Sequence, residues 1–294
     1  MTSVQANGIT IEYEESGSGE PLLMIMGLGN QLIDWPAQLV EALVDHGFRV
    51  IRFDNRDSGF STEFTSAPPT KWEIAKSFLF RRSLRAEYSI HDMAGDAVGL
   101  LDALGIDSAH IVGMSMGGMI AQTIAIEHPT RIRSLTSIMS STGHRRVGQP
   151  TVRVIRRGAR RPMPTRENAA DNFVAGFLDV CGPTMSEAEM RRLIAVSMER
   201  SFRPDGTGRQ TAAIISQPDR TEALGRLTAP TLVIHGLVDT LVRPSGGIAT
   251  AKAIPGARLL MFNDMGHDLP GTRYLDIAEA IASVAARAQS VARL

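Results

Sequence analysis

A single cysteine, Cys181, leaves the chain unable to close an internal disulfide, and it rules out thiolate clusters that would hold a metal. It reads as a buried or idle thiol. Excess charge is missing too: 31 Lys and Arg balance 31 Asp and Glu, so no global field draws the protein toward nucleic acid or an anionic surface. The uncharged stretch 111–126 falls short of the ~20 residues that a membrane-spanning helix needs, and glycines interrupt it. The opening residues Met-Thr-Ser-Val-Gln-Ala-Asn-Gly lack the basic start and apolar run of a secretory signal, so a cytoplasmic location is expected. There is no H-E-x-x-H, no C-x-x-C and no G-x-G-x-x-G. Neither a catalytic metal nor a nicotinamide cofactor is therefore expected. Internal repeats and low-complexity tracts are also absent.

What remains is a chain of 294 residues with 43% apolar content, long enough for one large core with an insertion. Short runs rich in Val, Ile and Leu alternate with amphipathic segments, the pattern of a mainly parallel sheet with crossover helices. Strands are expected at 9–14, 21–26, 48–53, 110–113, 134–139, 231–235 and 258–262. The first two read as an opening hairpin around Ser16-Gly17-Ser18-Gly19. Helices are expected at 37–45, 90–104, 116–127, 244–253 and 272–288.

Between Ser140 and Pro230 the alternation breaks. No strand is legible there, only helical candidates near 166–180, 186–200 and 208–216. The expected division is a core from 1–142 and 229–294 carrying a helical cap at 143–228, over the strand ends where such sheets bind ligands. The insertion is basic, with seven arginines and no acid from 145 to 161. That run reads first as a solvated face and second as a site for an anionic substrate group or a partner. A loop-rich stretch at Pro68-Pro69 precedes a segment, 71–82, that could pack near the cap.

The sharpest chemical signal is Gly113-Met114-Ser115-Met116-Gly117, a G-x-S-x-G between an apolar strand and a helix. A sharp strand-to-helix turn presents the serine hydroxyl above the sheet, and glycines on either side let neighbouring chains pass. Serine needs a base to take its proton. Of seven histidines, His46 and His128 sit at helix ends, His91 at a helix start, His110 and His235 at strand edges, and His144 at the entry to the insertion. His267 lies in the loop after the last strand, at the same sheet edge as Ser115. Asp239, just past the preceding strand, is the expected carboxylate partner, rather than Asp264 or Asp268. The two N–H donors of an oxyanion hole are expected from Met116 and from Gly27-Leu28-Gly29-Asn30, with Leu28 first and Gly29 second. Met114, Met116, Met119 and Trp35 suggest an apolar pocket or plain core filling.

With these residues in hand, the chain resembles the α/β-hydrolase superfamily over nearly its whole length. The resemblance rests on Met26-Gly27-Leu28-Gly29, the stretch 54–61 (Asp-Asn-Arg-Asp-Ser-Gly-Phe-Ser), the serine motif, and Gly236 to Asp239 followed by Gly266-His267. It implies a mostly parallel eight-stranded sheet flanked by helices, with a cap. Two features depart from the common pattern: Met26 stands where many members have histidine, and Asp57 where glycine is usual. Asp57 and the stretch 264–270 look like the group containing aclacinomycin methylesterase, whose members remove a methyl ester from a polycyclic polyketide. The insertion matches no motif, so that substrate is not carried over.

The expected activity is cofactor-free cleavage of a small, apolar carboxylic ester through an acyl-serine intermediate. A lactonase, an amidase, a C–C bond hydrolase or a cofactor-free haloperoxidase is open to the same triad, and a ligand receptor on the same scaffold is the non-enzymatic rival. No nucleic-acid or membrane partner is expected, and a homodimer is left open.

Overall fold

The computed structural model describes residues 2–80 and 84–291. In chain order it runs β1 (Thr2–Ala6), β2 (Ile9–Ser16), β3 (Glu20–Ile25), α1 (Ala37–Asp45), β4 (Phe48–Phe53), α2 (Lys71–Phe80), α3 (Ile90–Ala103), β5 (Ala109–Met114), α4 (Met116–Glu127) and β6 (Ile132–Ile138). The insertion follows, with α5 (Val152–Arg160), α6 (Ala169–Leu178), α7 (Glu187–Arg200), α8 (Pro204–Ser216) and α9 (Thr221–Leu224). The chain then closes with β7 (Thr231–Gly236), α10 (Ser245–Ala253), β8 (Arg258–Phe262) and α11 (Tyr274–Val291).

The strands form one eight-stranded sheet in the order β1-β2-β4-β3-β5-β6-β7-β8. Pairing is antiparallel across β1, β2 and β4, and parallel from β4 to β8. β5 and β7 are buried at every residue, as parallel strands covered on both faces must be. Alternation along β3 divides the core. Leu23 and Ile25 pack with residues of α3 and α4, whereas Leu22 and Met24 pack with residues of α1 and α11. α4 runs against the sheet with all its residues from Met116 to Ala125 buried, which explains why its sequence is apolar all round.

One expectation is corrected. Residues 9–14 and 21–26 do not form a hairpin: β4 lies between β2 and β3, and β2 instead pairs with β1 through the turn at Asn7-Gly8. The glycine turn permits the chain to leave the sheet, but the longer parallel pairing of β3 with β4 and β5 decides its neighbour. The eighth strand, β1, was not legible because Thr-Ser-Val-Gln-Ala at a sheet edge has little apolar alternation. Within the insertion, α5 coincides with the arginine run. It buries no residue, so periodic burial gave no signal for it.

The segment expected near the cap does touch it, since Lys71 Nζ donates to the Arg161 carbonyl; part of that segment, 81–83, lies outside the described residues. Among the arginines, Arg157 and Arg161 pair with Asp179, while Arg153, Arg156 and Arg160 are exposed. Among the described residues, no helix is long and apolar enough to cross a membrane.

Candidate active site

β5 runs straight into α4, and Ser115 is the joint between them. Its φ of 55° and ψ of −117° are values that L residues rarely adopt. The Ser115 N–H donates to the Ile138 carbonyl at 2.9 Å, which anchors the turn to β6. The flanking glycines are obligatory on contact grounds. A Cβ at Gly113 would lie 2.1 Å from the Gly117 carbonyl oxygen, and one at Gly117 would lie 2.0 Å from the Ile25 carbonyl oxygen. The sharp turn therefore needs both glycines, and it leaves Ser115 Oγ at the carboxyl edge of the sheet.

Two neighbouring strand ends bring the partners. His267 Nε2 lies 2.9 Å from Ser115 Oγ, and His267 Nδ1 lies 2.8 Å from Asp239 Oδ2. The other carboxylate oxygen of Asp239 accepts the N–H groups of Leu241 and Val242, both at 2.9 Å. These donors fix the carboxylate beside the ring. Asp239 and His267 are buried, and Ser115 is half-buried.

The remaining acids near His267 serve elsewhere. Asp264 pairs with Arg273. Asp268 Oδ1 accepts from Gly182 N and Gly266 N, and burial raises its carboxyl above the ordinary range. His235 lies 3.6 Å from Asp239 Oδ2 but sits against the Val242 carbonyl at 2.7 Å. Burial is the first cause that lowers its pKa and keeps it neutral.

The loop after β3 passes directly over the serine, since a Cβ at Gly27 would lie 3.3 Å from Ser115 Cβ. Residues Gly27 to Asn30 form a turn in which the Asn30 N–H reaches the Gly27 carbonyl at 3.3 Å, with Gly29 at φ 70°. The Gly29 N–H donates to Gln210 Oε1 at 2.8 Å, which takes Gly29 out of the candidates for an oxyanion hole. Trp35, Met114, Met116 and Met119 are members of the two buried cores. Core filling therefore accounts for them.

The insertion grips the loop that bears His267 and the loop after β4. On the histidine side, His267 N donates to the Val180 carbonyl at 2.8 Å, and a Cβ at Gly266 would lie 2.5 Å from Cys181. Burial is the main cause that raises the Cys181 thiol above its ordinary pKa, so it stays protonated. On the other side, α7 and α8 lock onto the loop after β4. Arg200 pairs with fully buried Asp54 at 2.8 Å. Arg209 grips both oxygens of Asp57 at 2.8 Å, with the Tyr88 hydroxyl at 2.6 Å.

Asp57, where glycine is usual, has φ 67°. The backbone explains the usual glycine, and the ion pair offsets the strain of an aspartate there. Arg200, Arg209 and Gln210 were missed by sequence reasoning. Nothing in a helical pattern distinguishes a polar residue facing a loop from one facing water.

A family model described as alpha/beta hydrolase fold matches residues 20–273. The chain belongs to that family. It is 29% identical over 286 residues to rhodomycin D methylesterase DauP of Streptomyces sp. strain C5, covering 89% of both chains. It is 30% identical over 287 residues to 2-hydroxymuconate semialdehyde hydrolase of Pseudomonas sp. strain CF600, covering 89% of this chain and 85% of that one. The enol-lactonase of Burkholderia xenovorans LB400 shares the fold with a TM-score of 0.70 at 22% identity, over 98% of this chain and all of that one. The resemblance to the methylesterase group, drawn from short motifs, thus extends along the chain, and this hydrolase-family member is an enzyme.

Proposed function

We propose that the protein is a serine esterase that cleaves the carboxylic ester of a small molecule. The observation that carries this reading is the unbroken line from Asp239 through His267 to Ser115, with hydrogen bonds of 2.8 and 2.9 Å at a strained strand-to-helix turn.

Ser115 Oγ attacks the acyl carbon as its proton passes to His267 Nε2. The carbonyl π pair moves onto oxygen, where the N–H groups of Leu28 and Met116 receive it. When the carbonyl re-forms, the bond to the alkoxy oxygen breaks and the alcohol leaves with the proton from His267. Water then attacks the acyl-serine and gives a proton to the same imidazole; as the carbonyl re-forms, the bond to Ser115 Oγ breaks, Oγ takes that proton back, and the acid leaves. Asp239 holds His267 with its Nδ1 protonated and stabilises the imidazolium. The cycle balances with water alone and needs no cofactor.

Residues 143–228 act as the cap that shapes the substrate site. The setting is the cytoplasm, with a small molecule as partner. The methylesterase relatives favour ester cleavage. The relative named as a semialdehyde hydrolase supports a second reading, hydrolysis of a C–C bond on the same triad.

Intact-mass spectrometry after a fluorophosphonate probe, beside Ser115→Ala, tests the nucleophile. One adduct on the wild type and none on the variant is expected, and a folded wild type without an adduct would overturn the assignment. Turnover of a panel of short and long acyl esters, set against a vinylogous 1,5-diketo acid, separates the two readings.

A further inference from the structure

Gln210 is fully buried on α8, outside the triad, and its amide joins two loops, the one after β3 and the one after β4. Nε2 donates to the Arg56 carbonyl at 2.8 Å and to Ser58 Oγ at 3.0 Å. Oε1 accepts the Gly29 N–H at 2.8 Å. The orientation of this amide is not free. The Arg56 carbonyl can only accept, so Nε2 must face it, and Oε1 is left facing the loop after β3.

The turn it faces has two available forms. A turn with a positive φ at its third residue is type II, and it becomes type I when the peptide between its second and third residues flips. Here that peptide joins Leu28 to Gly29, and glycine tolerates either form. The flip would replace the Gly29 N–H with the Leu28 carbonyl, oxygen against Gln210 Oε1. The loop sequence leaves the choice open; the buried amide settles it. With that peptide locked, the preceding one, which carries the Leu28 N–H, is held between β3 and a fixed turn above Ser115.

The helix bearing Gln210 is seated tightly against the loop after β4, and Arg209 ties it there. A Cβ at Gly206 would lie 2.3 Å from the Asp57 carbonyl oxygen, and one at Gly208 would lie 2.5 Å from Pro68 Cβ. Arg209, the preceding residue, is clamped on Asp57 and also donates to the Ser66 carbonyl at 2.7 Å.

We infer that Gln210 is a positioning residue: from the insertion, it selects the form of the turn that presents the Leu28 N–H to the developing oxyanion. This deepens the esterase reading and rests on it. The cap then helps to assemble the catalytic centre as well as enclosing substrate.

Gln210→Met keeps the side chain's length and packing and removes both sets of hydrogen bonds. On an ester that the wild type turns over, kcat should fall about 10- to 100-fold with KM within about threefold, a loss confined to the transition state. The inhibition constant of an alkyl boronic acid, which places an anionic oxygen in the hole, should rise by the factor lost from kcat/KM. The Gly29 amide should exchange with deuterium about tenfold faster or more, once its acceptor is gone. Ser58→Ala, which removes one of the two acceptors that orient the amide, should lower kcat about two- to fivefold. It serves if the methionine variant does not fold.

Unchanged kcat with a lower melting temperature would reduce Gln210 to a structural brace and overturn the inference, as would unchanged exchange at Gly29. A folded wild type that turns over no ester and takes no probe sinks the esterase reading itself. Gly29 exchange then still tests the clamp without reference to activity.

Discussion

At Ser115, function is stored in the backbone. The φ of 55° is tolerated because two bare glycines and a hydrogen bond to β6 hold the turn from outside. Gly117→Ala would set a methyl group 2.0 Å from a carbonyl oxygen and should cost both stability and activity. Asp239→Asn keeps the shape of the triad but presents an amide to the ring and favours the wrong tautomer. Turnover should fall by about 10³- to 10⁴-fold with the circular dichroism spectrum unchanged; unaltered turnover would move the acid elsewhere.

Asp34, half-buried below α7, makes a prediction about pH. Burial is the largest cause that raises its pKa from 3.8 to about 6, against the opposing hydrogen bond from Gln31 N. A folded-state pKa above the unfolded one means that the fold favours the protonated acid. The stability it contributes is complete below 3.8 and is lost as pH rises through about 6. Asp34→Asn retains an acceptor for Gln31 N and carries no charge. It should stabilise by about 1–2 kcal/mol near pH 8 and hardly at all near pH 4. Chemical denaturation at the two pH values checks it, and an equal effect at both would refute the assignment.

At the level of elements, α8 matters more than its position in the insertion suggests. Its glycines 206 and 208 let it seat against the loop after β4, and Arg209 and Gln210 then reach the polar atoms there. Breaking a buried ion pair from one side leaves an uncompensated charge, whereas removing both partners does not. Asp57→Gly would relieve a left-handed aspartate yet strand Arg209, and should destabilise by about 3 kcal/mol. Adding Arg209→Met should recover much of that loss in the same urea titration. If the double variant is no better than the single, the pair is not the link between α8 and the core.

Taken as a whole, the molecule has one sheet and an insertion that share buried charge. Asp54 and Asp57 of the core are paired with Arg200 and Arg209 of the insertion, and Asp268 Oδ1 accepts from Gly182 N. Such sharing joins the two in a single cooperative unit. Heating should give one transition, coincident by near-ultraviolet circular dichroism and by limited proteolysis. Two separated transitions would show an insertion that folds and opens independently of the core.

Sequence alone determined the strand-helix alternation, the strained serine motif, and the order Ser115, Asp239, His267. Each is written locally, either as apolar periodicity or as glycines and polar residues placed where a buried strand ends. It also showed that no strand interrupts the long helical stretch between β6 and β7. Which strands lie side by side was decided only in three dimensions. β4 separates β2 from β3 because sheet order depends on pairing between distant segments, and an exposed edge strand such as β1 carries little apolar signal. The grip of Arg200, Arg209 and Gln210 on the loops after β3 and β4 was hidden for the same reason. A buried polar residue is recognisable only by the partner that satisfies it, and these partners stand about 150 residues away in the chain.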